Sequence, residues 1–436
     1  MNFKEKWLSL FEEDEKKLLF RTGEHEGPEG YSVFRVGSFL RRAQRFSNAL
    51  SSDLLLEEGD HVALFLDHGS SLALALHGLW LSGLVAVPLD VSLDDSTVIS
   101  ICNNCEVKAV IFSPAAAAKV ASIYPKLASV EHWLVTGGSR SFGPEKHTRT
   151  VDEIILSAEE GNIGQLKDSD KDYEALVVLA SGKGGFRQYG AMFTQSQLLA
   201  AGKAQSFMYR GATDKERDIW CALPAYDICA IVCSQITPLF SELQTRSRPE
   251  FEAREFWQVV RQGTIAYALI NQEQLRSLYK RAKGRDWAQP EDFSIYLVSE
   301  ELVDSELLKA FENRFNVRVN PCYSSTEAGG IVAAFPEGLD TKSRRKLLYG
   351  SDFVSSGAPL PGNVVKISDS TEESETLGME GQILVKSSQL MSYYCASEPG
   401  EAYITHENFL NTGDRGFLFV GGDGEPHLMV TNKVSS

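Results

Sequence analysis

HVALFLDHGSSLALALHGLWLSGLVAVPL, residues 61–89, carries the pattern that decides the fold. Residues 61–66 (HVALFL) form a short apolar run after the Gly59-Asp60 turn, as a strand buried on both faces does. Residues 70–84 space their apolar side chains as a helix does and close at Gly83, and 85–89 (VAVPL) reads as a second strand. The stretch is the most membrane-like in the chain, yet Asp67, His68, His77 and the glycines at 69, 78 and 83 interrupt it. A span needs about 20 uninterrupted apolar residues, so a strand followed by a buried helix is expected, and no transmembrane segment.

The same rhythm runs outward from this unit. Residues 96–103 suit a crossover helix and 107–112 (VKAVIF) a β-branched strand. Further on come a strand at 175–180 (ALVVLA), a helix at 194–206, strands at 218–223 and 264–270, and a buried helix at 228–240. Alternating strands and helices argue for a parallel, doubly wound sheet. Beyond Gly350 the texture changes to short β-runs at 364–368, 381–386 and 416–420, which suggests a β-rich subdomain. The stretches 137–149 and 369–380 are polar and rich in glycine or acid, and read as surface loops.

Composition bounds the function. The chain has 436 residues, 43% hydrophobic and 23% charged, enough to bury a large core. Its 43 basic and 59 acidic residues leave a net charge of -16, with no basic face, which argues against nucleic acid as a partner. Seven scattered cysteines do not make a disulfide framework, and Cys102-x-x-Cys105 lacks a second Cys/His pair at zinc-ligand spacing. The charged N-terminus has no apolar signal region. A reducing, cytoplasmic location is expected.

Three segments point to chemistry. Residues 175–206 read as strand, loop and helix, and the loop SGKGGFRQYG (181–190) could wrap an anion in its backbone N–H groups. Lys183 and Arg187 add positive charge there, but the spacing is not that of a Walker A loop. In Tyr323-Ser324-Ser325-Thr326-Glu327, a hydroxyl stands beside a carboxylate able to hold Mg²⁺, with an aromatic ring just ahead for stacking. Residues 411–417 (NTGDRGF) read as a turn feeding a strand, and Asp414 could accept hydrogen bonds from a ribose. Each segment also has an ordinary reading as a loop or turn. A nicotinamide dehydrogenase is disfavoured because no Gly-x-Gly-x-x-Gly follows the first strand.

Taken in order, these segments resemble the adenylate-forming superfamily of acyl-CoA synthetases, luciferases and peptide-synthetase adenylation domains. The phosphate loop is similar to Ser181–Gly190, the Tyr-Gly-x-Thr-Glu box to Tyr323–Glu327, and the Gly-x-Pro-Leu-Pro-Gly stretch to Gly357–Gly362. The Gly-Glu-Ile strand resembles Gly381-Gln382-Ile383, with Tyr393-Tyr394 downstream, and the Thr-Gly-Asp box is matched by Thr412-Gly413-Asp414. The resemblance implies an α/β fold: a large core of two doubly wound mixed or parallel sheets with flanking helices, plus a small β-rich subdomain. That core is expected at 1–430, divided near 1–170, 171–350 and 351–430. A hinge is expected to begin at 431–436, with the family's small C-terminal domain missing from this chain.

The implied reaction joins a carboxylic or fatty acid to ATP, releases pyrophosphate, and passes the acyl group from the adenylate to the thiol of CoA or a carrier protein. By the match, Thr326 and Glu327 are catalytic, with Glu327 the Mg²⁺ ligand. Ser181, Gly182, Lys183, Gly184 and Gly185 would hold phosphate, Tyr323 adenine and Asp414 ribose, and Lys433 stands where a hinge arginine is usual. Tyr226, Asp227, Val298 and Ser299 would line the substrate pocket.

The chain also departs from the pattern. Gln188 or Tyr189 falls at the loop lysine, Gln195 at a histidine after Thr194, Asp227 at another histidine, and Val298-Ser299 at a Gly-Gly pair. These changes lead to the expectation that the chain alone is a weak catalyst. The alternative is a catalytically degenerate relative that binds acyl groups, nucleotide or protein.

Overall fold

The computed structural model describes residues 1–23, 31–138, 140–142, 148–159, 171–181, 188–212, 217–282, 293–368, 378–395 and 407–434. Among these, strands form two large sheets and one small one. The first large sheet has eight strands, in the order Tyr393–Cys395, Gln188–Thr194, Glu174–Ser181, Val85–Pro88, His61–Phe65, Ala109–Phe112, His132–Val135 and Thr148–Thr150. The run from Glu174–Ser181 to Thr148–Thr150 is parallel, and the first two strands are antiparallel additions.

The second large sheet has nine: Ala358–Pro359, Gly330–Ala334, Arg318–Ser325, Ser294–Val298, Ile265–Asn271, Asp218–Cys221, Gln244–Ser247, Leu18–Gly23 and Tyr31–Arg35. The strands from Arg318–Ser325 to Leu18–Gly23 are parallel, and each end of the sheet is antiparallel. The fold is thus α/β with mixed, largely parallel sheets. The strand at 61–66 and the helix at 70–84 are observed as His61–Phe65 and Ser70–Ser82, the latter closed by Gly83 in the left-handed region (φ 73°).

The two sheets face each other across a helical layer. One apolar cluster joins Val62, Ile111 and Val178 of the first sheet to Ile219, Leu269 and Tyr296 of the second, through Leu76, Leu198 and Ile231 of the intervening helices. Further clusters seat helices on the outer face of each sheet. Strands buried on both faces must be apolar throughout, which is why they were legible as continuous runs. The four-stranded antiparallel sheet Asn363–Ser368, Gly381–Ser387, Leu410–Val420 and Pro426–Asn432 closes over the end of the second sheet.

Three expectations are corrected. Over 175–206 the expected strand and helix are observed as Glu174–Ser181 and Gln195–Ser206, but what was expected as loop gives way at Gln188–Thr194 to a further strand, folded back antiparallel on the first. Gly190 permits this, because a Cβ there would lie 2.5 Å from Val177. The buried helix at 228–240 is broken into an α-turn, a π-helical stretch Val232–Ile236 and a 3-10 turn containing Pro238, whose ring cannot continue an α-helix. Residues 411–417 lie inside the strand Leu410–Val420, irregular where Gly413 adopts φ 83°.

The N-terminal helix Phe3–Asp14 is held by an aromatic nest around His77. Trp7 donates its indole N–H to His77 Nδ1 at 3.2 Å, and Phe3 stacks on Trp80 with centroids 4.3 Å apart. Burial depresses the His77 imidazole to about 3, and burial likewise brings His68 to about 4. Each ring titrates near 6.5 when unfolded. The unfolded chain therefore binds more protons below about pH 6.5, and stability falls as pH drops towards about 4. His77→Gln should flatten that loss by up to about 1.4 kcal/mol per pH unit in urea unfolding series. Superimposable pH profiles for the two proteins would contradict the assignment.

Candidate active site

The strand Arg318–Ser325 delivers Tyr323 to the end of the second sheet, where ligands bind in open parallel sheets. The chain then turns sharply. Gly329 (φ 73°) and Gly330 (φ 105°) make the turn, and a Cβ on Gly329 would lie 2.3 Å from the Gln389 carbonyl oxygen. Gln389 is buried and bolts the turn from the other side, donating its amide to the carbonyls of Ala328 (2.8 Å) and Ile331 (3.2 Å). This fixes Glu327. One of its oxygens accepts from the Ser325 hydroxyl and the other from Tyr394, both at 2.7 Å.

Tyr323 is fully buried and donates its hydroxyl to Asp414 Oδ2 at 2.9 Å. The other Asp414 oxygen accepts the backbone N–H of Val434, also at 2.9 Å. Burial raises the Asp414 carboxyl, opposed by Lys433 and by these hydrogen bonds. Lys433 donates to the Ser299 carbonyl at 2.5 Å, with its ammonium 5.4 Å from the centre of the Tyr323 ring. Burial lowers its pKa, and Asp414 works against that. Tyr323, Asp414, Lys433 and Ser299 therefore form one connected group.

Beside it lies a cavity of about 210 Å³ that includes Thr326, Tyr226, Asp227, Ile228, Asp90 and Glu300 in its lining. Asp227 caps the α-turn Ile228–Ile231, accepting from the N–H groups of Cys229 (2.6 Å) and Ala230 (3.2 Å). Burial pushes its carboxyl up to about 6, the two N–H groups oppose this, and Glu300 adds to the rise. Asp90, Glu300 and Gln389 had no signal in the sequence, because only the folded chain brings them to the motifs.

The remaining expected residues distribute as follows. Gly182, Lys183, Gly184 and Gly185 lie outside the described residues, and of Ser181 the backbone ends a strand. Val298 is packed in the core, and Ser299 borders a separate cavity of about 140 Å³ with Cys322, Val430 and Lys433. Gln195 is a buried strut: its amide oxygen accepts the Phe3 N–H at 2.9 Å and its amide nitrogen donates to the Trp80 carbonyl at 2.7 Å. In the Gly-x-Pro-Leu-Pro-Gly stretch, a Cβ on Gly357 (φ 90°) would fall 1.9 Å from the Ala334 carbonyl carbon.

Removing the hydroxyl of Tyr323 leaves a buried carboxylate oxygen without its donor. Tyr323→Phe is therefore expected to lower unfolding free energy by about 1–3 kcal/mol in denaturant titrations. A loss within the scatter of repeated titrations would show that water replaces the hydroxyl.

The family model described as "AMP-binding enzyme" matches residues 36–395. The crotonobetaine/carnitine–CoA ligase of Proteus mirabilis is 25% identical over 440 residues, covering 95% of this chain and 77% of that protein. The N-terminal domain of FACL13 from Mycobacterium tuberculosis, solved with an inhibitor, shares the fold at a TM-score of 0.79 and 18% identity, covering 99% of both chains. The anthranilate CoA ligase AuaEII, solved with anthranoyl-AMP, does so at 0.81 and 16%, over 99% of this chain and 78% of that one. Among the described residues no helix is long and apolar enough to cross a membrane. With the Tyr323–Glu327 and Thr412–Asp414 motifs meeting at one end of the second sheet, and this match over most of its length, the chain belongs to the AMP-binding enzyme family, within the adenylate-forming superfamily.

Proposed function

We propose that this chain is the core of an AMP-forming acid–thiol ligase. A carboxylate oxygen attacks the α-phosphorus of ATP, the bond to the β-phosphate breaks, and pyrophosphate leaves. A thiol sulfur, from CoA or a carrier protein, then bonds to the acyl carbon, its proton passes to solvent, and AMP departs. The observation that carries this reading is that Tyr323 bonds Asp414 at the end of the strand whose following turn holds Glu327 and sets Thr326 in a cavity wall. The ligases by name among its relatives favour catalysis over a binding-only role.

In this reading Asp414 takes the ribose hydroxyls, and Tyr323, buried here with the Lys433 ammonium 5.4 Å from its ring centre, meets adenine once Lys433 moves away. Lys433 exchanges the Ser299 carbonyl for the nucleotide, and Thr326 donates to a phosphoryl oxygen. Glu327 suits a magnesium ion shared with phosphates, since such ions take only one or two carboxylates. When bound, the ion would neutralise phosphate charge. Tyr226 and Asp227 border the acyl end, while Val298 and Ser299 back the nucleotide end. The glycines and Lys183 of the loop after Ser181 would close over the phosphates.

Calorimetric titration with AMP and with ATP and Mg²⁺, followed by hydroxylamine trapping over a panel of acids, tests this. Both nucleotides should bind. Asp414→Asn should weaken AMP by about tenfold or more, the worth of a charge-assisted hydrogen bond. Glu327→Gln should keep AMP binding and lose hydroxamate formation. Failure of either nucleotide to bind at millimolar concentration would sink the reading.

A further inference from the structure

The strand Tyr393–Cys395 lies at the edge of the eight-stranded sheet and pairs antiparallel with Gln188–Thr194, Tyr394 opposite Ala191 and Cys395 opposite Gly190. Successive side chains on a strand point to opposite faces. Tyr394 points inward, packs in the apolar cluster between the two large sheets, and donates its hydroxyl to Glu327 at 2.7 Å. Cys395 points outward, onto the cluster that seats the helix Asp95–Asn104 on the sheet. Gly190 leaves room there, since a Cβ on it would stand 3.4 Å from the Cys395 Cβ.

That outer cluster holds two further thiols. Cys102 is on the helix, and Cys105 caps its C-terminus, its N–H donating to the Ile101 carbonyl (2.9 Å) and its carbonyl accepting from the His61 ring. The Cys395 thiol hydrogen-bonds the Cys105 sulfur, so the two side chains converge as a disulfide requires. This bond lowers the Cys105 pKa, against the effect of burial, and the same contact raises that of Cys395. A sulfur that accepts such a bond gives up its own proton more readily, and the thiolate is the form that oxidants attack.

Exposure separates this pair from the other thiols. Of the seven cysteines only Cys395 is not buried. Cys221 and Cys233 also hydrogen-bond each other, but both are fully enclosed in the layer between the sheets. The outer pair joins a sulfur partner to a side chain that solvent reaches.

We propose that Cys105 and Cys395 are a peroxide-reactive thiol pair, whose disulfide ties the edge strand Tyr393–Cys395, and Tyr394 with it, to the end of the helix Asp95–Asn104. One sulfur attacks a peroxide oxygen, the O–O bond breaks, and water leaves behind a sulfenic acid. The second sulfur attacks the first, the S–S bond forms, and the hydroxyl departs with the second thiol's proton as another water. Hydrogen peroxide takes up the two electrons that the sulfurs lose. Tyr394 then holds Glu327 from a strand anchored on both of its faces.

The test treats the native chain with hydrogen peroxide, blocks the remaining thiols, and maps peptides after unfolding. The map should contain a Cys105–Cys395 linked peptide, lighter by two hydrogens than its two parts, and dithiothreitol should remove it. Cys102→Ser should leave the link in place, whereas Cys395→Ser, at a half-buried edge position, should abolish it. Cys221 and Cys233 should stay reduced. Oxidation should raise Tm by about 3 °C or more in the natural sequence and not in Cys395→Ser, because a bridge closing so long a loop constrains the unfolded chain. A Cys102–Cys105 link, a sulfinic or sulfonic acid on Cys395 with Cys105 still free, or the absence of any link overturns the pairing. A Cys221–Cys233 link that forms as fast overturns the role given to exposure, and a Cys105–Cys395 link that leaves Tm unmoved overturns the anchoring.

Discussion

The Asp414 carboxylate is the constraint around which the nucleotide end of this protein is arranged. It is 7% exposed and lies between two sheets, and a buried charge survives only if its hydrogen bonds are made. Tyr323 from the nine-stranded sheet supplies one and the backbone of Val434, just past the strand Pro426–Asn432, another. The kink that aims Asp414 is itself fixed: Asn411 accepts the Gly413 N–H, and the Thr412 hydroxyl donates to the Ile383 carbonyl and accepts the Asp414 N–H. The Tyr323–Asp414 hydrogen bond, between residues ninety-one apart in sequence, thereby ties the small sheet to the large one within an apolar cluster.

The same economy appears in the two buried glutamines. Gln389 holds the turn that presents Thr326 and Glu327, and Gln195 ties the N-terminal helix to the helical layer between the sheets. A neutral amide offers donors and acceptors without the desolvation cost of a charge, so it can serve as a strut where a carboxylate or an ammonium would need a partner. Gln195 is the instructive case. By resemblance its position reads as a lost active-site histidine, but here the side chain turns into the core.

How much of this was legible depends on whether the signal was local. Strands such as His61–Phe65 and Ala109–Phe112 are apolar on both faces and bounded by turn residues, so they stand out. Gln244–Ser247 (QTRS) does not, because it is a buried strand made of polar side chains. Arg246 is tolerated there only because Asp218 on the neighbouring strand neutralises it. Its partner Leu18–Gly23 and the edge strand Tyr31–Arg35 beyond it are likewise short and carry no strong sequence signal. At the site, Tyr323 through Glu327 and Thr412 through Asp414 were visible as ordered motifs. Asp90, Glu300 and Gln389 act through neighbours far away in sequence, which no local pattern records.

The interleaving of the two sheets has a consequence for synthesis. Leu18–Gly23 leaves the ribosome early, yet its parallel partner Gln244–Ser247 follows about 220 residues later, roughly 10–45 s at ordinary elongation rates. The edge of Gln188–Thr194 waits about 200 residues for Tyr393–Cys395. During those intervals an unpaired strand edge offers its hydrogen-bonding groups to any other chain nearby. The nine-stranded sheet cannot be finished before residue 359 has been made, nor the eight-stranded one before residue 395, so the nascent protein is a natural client for chaperones that shield open edges.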